Sequence, residues 1–289
     1  MKRFGLIGNG IALSKSPALF EAAYGGKYAY DLLEGTDFKK LADKFLNGYE
    51  AVNVTAPFKE DAMRLADEVS DAAALCGAAN MLMKTPKGGI IADNSDFEGV
   101  TLSIMSAYAV AGVDVDDEEE FAGFLSEKTA LVIGCGGAGK AAAAALVTLG
   151  AGRTVLWNRT VQRAVSLKHH IEEFYDDLAP DEIAVAPTDS LVEEFSRADI
   201  VIYTPPVSLG SDLNRALHGL NGKRDKLVLE ANCTSPCMGD ADGKYTYVSG
   251  LNWLYNQAVV AYEAFTGIEP DGEAMKKTLG VQNLLAKNI

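Results

Sequence analysis

Thr129-Ala-Leu-Val-Ile-Gly-Cys-Gly-Gly-Ala-Gly139 and the alanine-rich run behind it, Lys140–Leu149, decide the fold of this chain. Thr129–Ile133 is short, apolar and closed by glycine, which is the pattern of a fully buried strand. Lys140–Leu149 reads as a helix. The loop between them is Gly134-Cys135-Gly136-Gly137-Ala138-Gly139. Glycines let a backbone approach a pyrophosphate closely, and the helix that follows points free N–H groups and its positive dipole end at the phosphates. A bare Gly-x-Gly-x-x-Gly also occurs as a plain turn. Its place between strand and helix makes this one a dinucleotide loop, with Gly134, Gly136, Gly137, Ala138 and Gly139 as candidate ligands.

The next strand, Arg153–Trp157, ends in Asn158-Arg159-Thr160, with Arg163 one turn later. A carboxylate at that place would bond the ribose 2′-hydroxyl of NAD, and none is present. Guanidinium groups clamp a 2′-phosphate with charge-assisted bonds. NADP is therefore favoured over NAD. The plain alternative is an ordinary helix start with Thr160 as N-cap and solvated arginines. Further strands are expected at Ile200–Tyr203, which runs into Thr204-Pro205-Pro206, and at Leu227–Glu230.

The first part of the chain alternates differently. Residues 3–7 read as a strand entering a glycine turn. Ser14-Lys15-Ser16-Pro17 starts a helix, with Ser16 as N-cap and Pro17 in the first turn. A short strand is expected near Leu32–Leu33, a helix over 37–47, a buried strand over Ala51–Val54 and a helix over 59–68. Asn80–Met83 and Gly89–Ala92 read as strands joined by Pro86-Lys87-Gly88, and 97–112 as a helix. This is an open α/β sheet. Residues 113–120 carry six acidic side chains in eight positions, read as a solvated surface and a domain boundary. Past the second set of strands, Trp253–Phe265 is a long helix, followed by Thr266-Gly267 and a last helix near 272–286.

Two strings in the first part carry chemistry: Asn53-Val-Thr-Ala-Pro-Phe-Lys59 and Asp93-Asn-Ser-Asp96. Reducing a ketone with hydride requires a proton for the new alkoxide, and the reverse reaction requires a base. A lysine serves both when burial and neighbours tune it, and a carboxylate orients it. On spacing alone, a lysine after proline in a loop is more often a surface cation. Lys59 and Asp96 are the candidate catalytic pair.

Composition narrows the partners. With 289 residues the chain is long enough for about two domains. A net charge of −14 argues against nucleic acid and anionic membrane. Cys76, Cys135, Cys233 and Cys237 form no Cys-x-x-Cys pair, and histidines are few, so a metal site is not expected. Sparse cysteine fits a reducing compartment. The apolar run at the N-terminus is too short for a signal peptide and is broken by Gly8, Asn9 and Gly10, and no stretch is long enough to span a bilayer. A cytoplasmic protein, monomer or homodimer, is expected.

In these strings the chain resembles the shikimate/quinate dehydrogenase family over nearly its whole length. The motifs are Gly8-Asn9 with Ser14-Lys15-Ser16-Pro17, Asn53–Lys59, Gly77-Ala78-Ala79-Asn80, Asp93–Asp96 with Gly99, the glycine loop, Asn158-Arg159-Thr160, Thr204-Pro205, Gly250, Gln257-Ala258 and Phe265-Thr266-Gly267. The resemblance implies NADPH-dependent reduction of 3-dehydroshikimate to shikimate, in the synthesis of chorismate and the aromatic amino acids. It implies a substrate domain over 1–112, joined by C-terminal helices from 250–289, and a Rossmann-type NADP domain over 121–249. Ser14 and Ser16 would bind the substrate carboxylate. Thr55, Asn80 and Gln257 would hold the ring, and Asp96 would bond a hydroxyl and pair with Lys59, the proton donor and acceptor. Gly136, Gly137 and Gly139 would cradle the pyrophosphate. Asn158, Arg159, Thr160 and Arg163 would take the ribose and its 2′-phosphate, and Gly250 would lie near the nicotinamide.

The chain departs from the family pattern in places. Cys233 stands where an aromatic hydroxyl is usual, Trp253 where methionine is usual, and Ile202-Tyr203 where Asn-Ala is usual. Met81 and Ser95 each replace a usual threonine. A quinate or related cyclic hydroxy-acid dehydrogenase, or a non-catalytic NADP-binding or ligand-sensing protein, are the competing expectations.

Overall fold

The computed structural model describes residues 1–175, 178–206, 208–210, 226–239 and 245–280. The chain divides into two compact units. One is Met1–Gly99 with the described part of Tyr255–Leu284, and the other contains Val100–Leu254.

The first unit is built on a mixed sheet. Its strands are β1 (Arg3–Gly8), β2 (Ala29–Glu34), β3 (Ala51–Val54), β4 (Glu68–Val69), β5 (Met81–Lys84) and β6 (Ile90–Asp93), in the order β2-β1-β3-β5-β6-β4. β1 runs parallel to β2 and β3, while β5 is antiparallel to both β3 and β6. The helices α1 (Ser16–Tyr24), α2 (Phe38–Gly48), α3 (Lys59–Leu65) and α4 (Asp71–Cys76) connect the strands. Leu41 and Phe45 of α2 pack with Ile7, Val52, Val54 and Leu82 in the core. A second packed group is aromatic: Phe4, Phe20, Tyr30 and Tyr262 lie ring against ring.

Among its described residues the second unit holds six parallel strands. They are β7 (Thr129–Ile133), β8 (Arg153–Trp157), β9 (Ile183–Val185), β10 (Ile200–Tyr203), β11 (Leu227–Glu230) and β12 (Thr246–Val248). The order β12-β11-β10-β7-β8-β9 places the first strand of the unit at the centre, with later strands added outward on both sides. That is the doubly wound order in which ligands bind beyond the carboxyl ends of the central strands. The central strands β7, β8, β10 and β11 are almost wholly buried and mostly apolar, as helix-covered parallel strands are, with Arg153 exposed at the start of β8 and Glu230 buried at the end of β11. Among the helices are α6 (Glu118–Ser126), α7 (Gly137–Thr148), α8 (Val161–Glu172) and α9 (Leu191–Arg197).

Two long helices are shared by the units. α5 (Ser95–Val110) is counted with the first unit up to Gly99, and α10 (Gly250–Thr266) with the first unit from Tyr255. A last helix, α11 (Gly272–Leu279), is capped by Asp271, whose N–H donates to the Ala23 carbonyl of α1 at 3.0 Å. No helix among the described residues is long and apolar enough to cross a membrane.

Several local expectations change. Ser16 is not the N-cap of α1. Lys15 takes that position without a side-chain capping bond, and Ser16 is the first helical residue. The helix after Lys59 stops at Leu65, because β4 begins three residues on. α5 starts at Ser95 rather than at 97, so Asp96 lies in its first turn. The end of the acidic run is helical: Asp117 caps α6 by accepting the Glu120 N–H at 3.0 Å, and Glu118, Glu119 and Glu120 fill its first turn. Carboxylates there favour the positive end of the helix dipole. α11 ends at Leu279, and the remainder of the helix expected to 286 lies outside the described residues.

Candidate active site

Lys59 and Asp96 come together in the first unit. β3 delivers the chain to the turn Thr55–Phe58, where the Ala56–Pro57 bond is cis and the Phe58 N–H donates to the Thr55 carbonyl at 3.0 Å. Lys59 is the first residue of α3, and its carbonyl accepts the Ala79 N–H at 2.9 Å. Its ammonium donates to Oδ2 of Asp96. The two side chains are only 14% and 12% exposed, so the pair is largely withdrawn from water. Charge attraction at this depth is much less screened than at the surface.

A second polar network holds Asp96 in place. Asn94 is fully buried and accepts the Asp96 N–H at 3.0 Å, while its amide donates to the Ala78 carbonyl at 2.7 Å. Asp93 accepts the Asn94 N–H at 2.7 Å and the Ser70 hydroxyl. Ser70 also caps α4. Around the pair stand Asn80, Ser95 and Gln257. The Asn80 amide donates to Ser95 Oγ at 3.1 Å and to Gln257 Oε1 at 3.2 Å, and its own oxygen accepts the Ser95 N–H at 2.8 Å. Ser95 stands in the sequence within the Asp93–Asp96 string and as a substitution, without a role of its own. Its neighbours Asn80 and Asp96 were the signal that it belongs to the same set.

The serine pair forms a separate feature. Ser16 N–H donates to Ser14 Oγ at 3.2 Å, and Ser14 Oγ donates to Ser16 Oγ at 3.2 Å. With no side chain capping α1, its first N–H groups and these two hydroxyls are suited to an anion. Thr55 is half-buried, and its N–H donates to the Ile7 carbonyl at 2.9 Å.

Glu98 was not singled out in the sequence. It sits in the first turn of α5, and its Oε2 is buried without a hydrogen-bond partner among the described residues. Burial raises its pKa, and the nearby Asp93 and Asp96 carboxylates raise it further. The folded protein therefore holds this proton to higher pH than the unfolded chain does. The favourable, protonated state is fully present below the ordinary glutamate pKa and is lost as pH rises through the raised one. Glu98→Gln should then melt higher than the parent at neutral pH, by about 2–4 °C for each kcal/mol relieved. The gap should close toward pH 4. A pH series of thermal melts checks this, and a gap independent of pH would disprove it.

The glycine loop of the second unit joins β7 to α7. Gly134 has φ 93°, a left-handed conformation that glycine alone adopts without strain. Its N–H donates to the Trp157 carbonyl at 2.8 Å. α7 begins inside the motif, at Gly137, with Gly136 as an N-cap that offers no side-chain bond. The helix's first N–H groups are thus left for a ligand. A Cβ on Gly136 would meet nothing within 4 Å, so open space lies beside it. Thr204 acts on the loop from behind, donating to the carbonyls of Ile133 at 2.9 Å and Gly134 at 3.2 Å.

Asn158 ties the end of β8 to the same loop. Its oxygen accepts the Cys135 N–H at 3.0 Å and its amide donates to the Thr160 carbonyl at 2.9 Å. Thr160 occupies the N-cap of α8 but makes no side-chain capping bond. Arg159, Thr160 and Arg163 are exposed. Burial pushes the Cys135 thiol up to about 12, with Arg163 opposing, so this cysteine stays a neutral thiol. Gly250 opens α10 against the end of β11, where a Cβ would lie 2.6 Å from the Glu230 carbonyl oxygen. That contact gives Gly250 a packing reason of its own. The described residues contain no cluster of His, Cys, Asp and Glu able to hold a metal ion.

Two family models match the chain: the shikimate dehydrogenase substrate binding domain over residues 6–82 and shikimate / quinate 5-dehydrogenase over residues 118–207. A shikimate dehydrogenase (NADP(+)) from Photobacterium profundum is 30% identical over 96% of this chain and 98% of its own length. The chain belongs to the shikimate dehydrogenase family. Solved members of this shikimate and quinate dehydrogenase group share the fold. The Thermus thermophilus shikimate 5-dehydrogenase in complex with NADP(H) and shikimate superposes with a TM-score of 0.75 at 26% identity, covering 97% of this chain and 99% of that one. Quinate dehydrogenase from Corynebacterium glutamicum in complex with NAD gives 0.77 at 25% identity, covering 96% and 98%. The dehydrogenase family thus spans both substrates and both cofactors.

Proposed function

We propose that the chain is an NADP-dependent shikimate dehydrogenase that interconverts 3-dehydroshikimate and shikimate in aromatic amino-acid biosynthesis. The observation that carries the site assignment is the buried Lys59–Asp96 pair, set beside Asn80, Ser95 and Gln257. NADPH, when bound, supplies a hydride for the ring carbonyl carbon. The Lys59 ammonium gives its proton to the carbonyl oxygen as that oxygen becomes a hydroxyl, and in reverse the neutral amine takes the proton back. Asp96 holds the lysine and accepts from a ring hydroxyl. Asn80, Gln257 and Thr55 orient the ring, and the Ser14 and Ser16 hydroxyls receive the carboxylate. A substrate anion is accommodated in a chain of net charge −14 because these donors are local.

The cofactor half is suited to NADP. Gly136, Gly137, Ala138 and Gly139 would hold the pyrophosphate, with Gly134 and Thr204 shaping the loop. Asn158, Thr160, Arg159 and Arg163 would take the ribose and its 2′-phosphate, since no carboxylate follows β8. Gly250 would offer backbone near the nicotinamide. We place the protein in the cytoplasm, acting as a monomer or homodimer on a small molecule and on no nucleic acid, on the strength of its acidic charge and four free cysteines.

Cys233 keeps a second substrate, quinate, in view. It is half-buried in the loop after β11, which Asn232 shapes by donating to the carbonyls of Pro206 at 2.9 Å and Ser235 at 3.0 Å. A thiol there cannot replace the hydrogen bonding of a phenol. Absorbance at 340 nm with shikimate and quinate, each with NADP and NAD, tests the reading. NADP reduction by shikimate, about tenfold or more faster than with NAD, is expected, the factor that one charge-assisted bond of about 1.5–3 kcal/mol supplies. Turnover with quinate alone would reassign the substrate, and NADPH binding without any turnover would make the chain a sensor.

A further inference from the structure

Helix α10 reaches the proposed substrate site at two places. Gln257 meets Asn80 and Ser95. Further along, Tyr262 donates its hydroxyl to the Ser16 carbonyl at 3.1 Å. The Tyr262 side chain is buried, 1% exposed. Its ring packs edge-on against Phe20 at 4.7 Å and against Tyr30 at 5.9 Å between centroids. Phenylalanine would serve that packing equally well, so the hydroxyl needs a separate reason. Burial raises the phenol's pKa, so it remains a donor at any ordinary pH.

The hydroxyl's partner is the residue that carries half of the serine pair. Ser16 is gripped from both sides of its backbone: Tyr262 bonds its carbonyl, and its N–H bonds Ser14 Oγ. Tyr30, the neighbouring phenol, instead donates to Asn53 Oδ1 at 2.8 Å. Asn53 in turn donates to the Asn80 carbonyl at 3.4 Å. The aromatic group thus braces the serine pair on one side and, through Asn53 of β3, the backbone of Asn80 on the other.

We propose that Tyr262 is a positioning residue that fixes the Ser14–Ser16 hydroxyls for the substrate carboxylate by holding the Ser16 carbonyl. It acts on binding of the carboxylate end and leaves the hydride and proton transfers alone. The inference rests on the reading of Ser14 and Ser16 as the carboxylate site. Steady-state kinetics of Tyr262→Phe, Ser16→Ala and the double variant test it, with shikimate and its methyl ester as substrates. Tyr262→Phe should raise KM for shikimate about three- to tenfold, the worth of one net hydrogen bond, with kcat within about twofold. KM for the ester should hardly move. In the Ser16→Ala background the second change should add little, because interacting residues are not additive. If Ser16→Ala raises KM and Tyr262→Phe does not, or if Tyr262→Phe affects acid and ester alike, the positioning role is wrong. If neither variant moves KM, the carboxylate assignment itself fails and takes the proposal with it.

Discussion

Lys59→Ala should lower kcat about 10²–10⁴-fold, the usual worth of a general acid–base group, while NADPH binding to the second unit stays near normal. The argument comes from placement. Lys59 is the cation bonded to Asp96, and both side chains are mostly withdrawn from water. Truncation leaves the Asp96 carboxylate buried without its counter-charge, so a stability loss of about 3–5 kcal/mol should accompany the loss of rate. That second effect could be mistaken for the first. Adding Asp96→Asn separates them: the neutral amide removes the stranded charge, so the double variant should regain stability and remain inactive. The single-turnover rate at saturating substrate and NADPH is the decisive reading. A Lys59→Ala enzyme within about tenfold of the parent would assign the proton to another group.

The same pair illustrates what a sequence can and cannot say. Lys59 and Asp96 were legible as chemistry only through the strings around them, because a lysine after proline carries little information alone. Their contact joins the start of α3 to the start of α5, 37 residues apart in sequence, and no local periodicity encodes it. The same holds for Tyr262 and Ser16, and for Gln257 and Asn80, which pair residues from opposite ends of the chain. The strands of the second unit were easier to read. β7, β8, β10 and β11 are buried on both faces and hence mostly apolar, with polar residues only toward their ends. β9 and β12 are three-residue edge strands, too short to leave a pattern. α4 escaped because its six residues offer no amphipathic repeat. α6 is a different case. Asp117 followed by three glutamates is a helix-start signal. The same residues satisfy the description of a solvated charge run, so the sequence alone does not separate the two.

Ser16 shows how one residue shifts a local role. Serine before proline fits an N-cap, since proline is favoured at the first helical position. The helix instead begins at Ser16, so the proline stands one place further in and Lys15 takes the cap position. The consequence favours the site. A serine engaged in capping would spend its oxygen on the helix, whereas here the two hydroxyls bond one another and Ser14 Oγ also accepts the Ser16 N–H.

Gly139→Ala is expected to remove NADPH binding, and Gly136→Ala to weaken it for a different reason. A Cβ at Gly139 would lie 1.8 Å from the Gly134 carbonyl oxygen and 2.8 Å from its carbon. Both atoms are backbone, so no rotamer change relieves the overlap. Gly134 cannot retreat freely: its φ of 93° sets the turn, its N–H bonds the Trp157 carbonyl and its oxygen accepts from Thr204. Nor can α7 slide away, because Ala141–Val147 are buried without a break. Such overpacking costs about 1–3 kcal/mol or more, and it would open the loop proposed to hold the phosphates. Gly136 faces open space, and its φ of −84° suits any residue, so alanine there should melt like the parent. Its methyl would nevertheless enter the space a pyrophosphate needs. NADPH fluorescence titration beside thermal unfolding separates the two. Gly139→Ala should lose both binding, by about 100-fold or more, and stability, while Gly136→Ala should lose binding alone. Normal NADPH affinity in the Gly136 variant would place the cofactor's phosphates elsewhere.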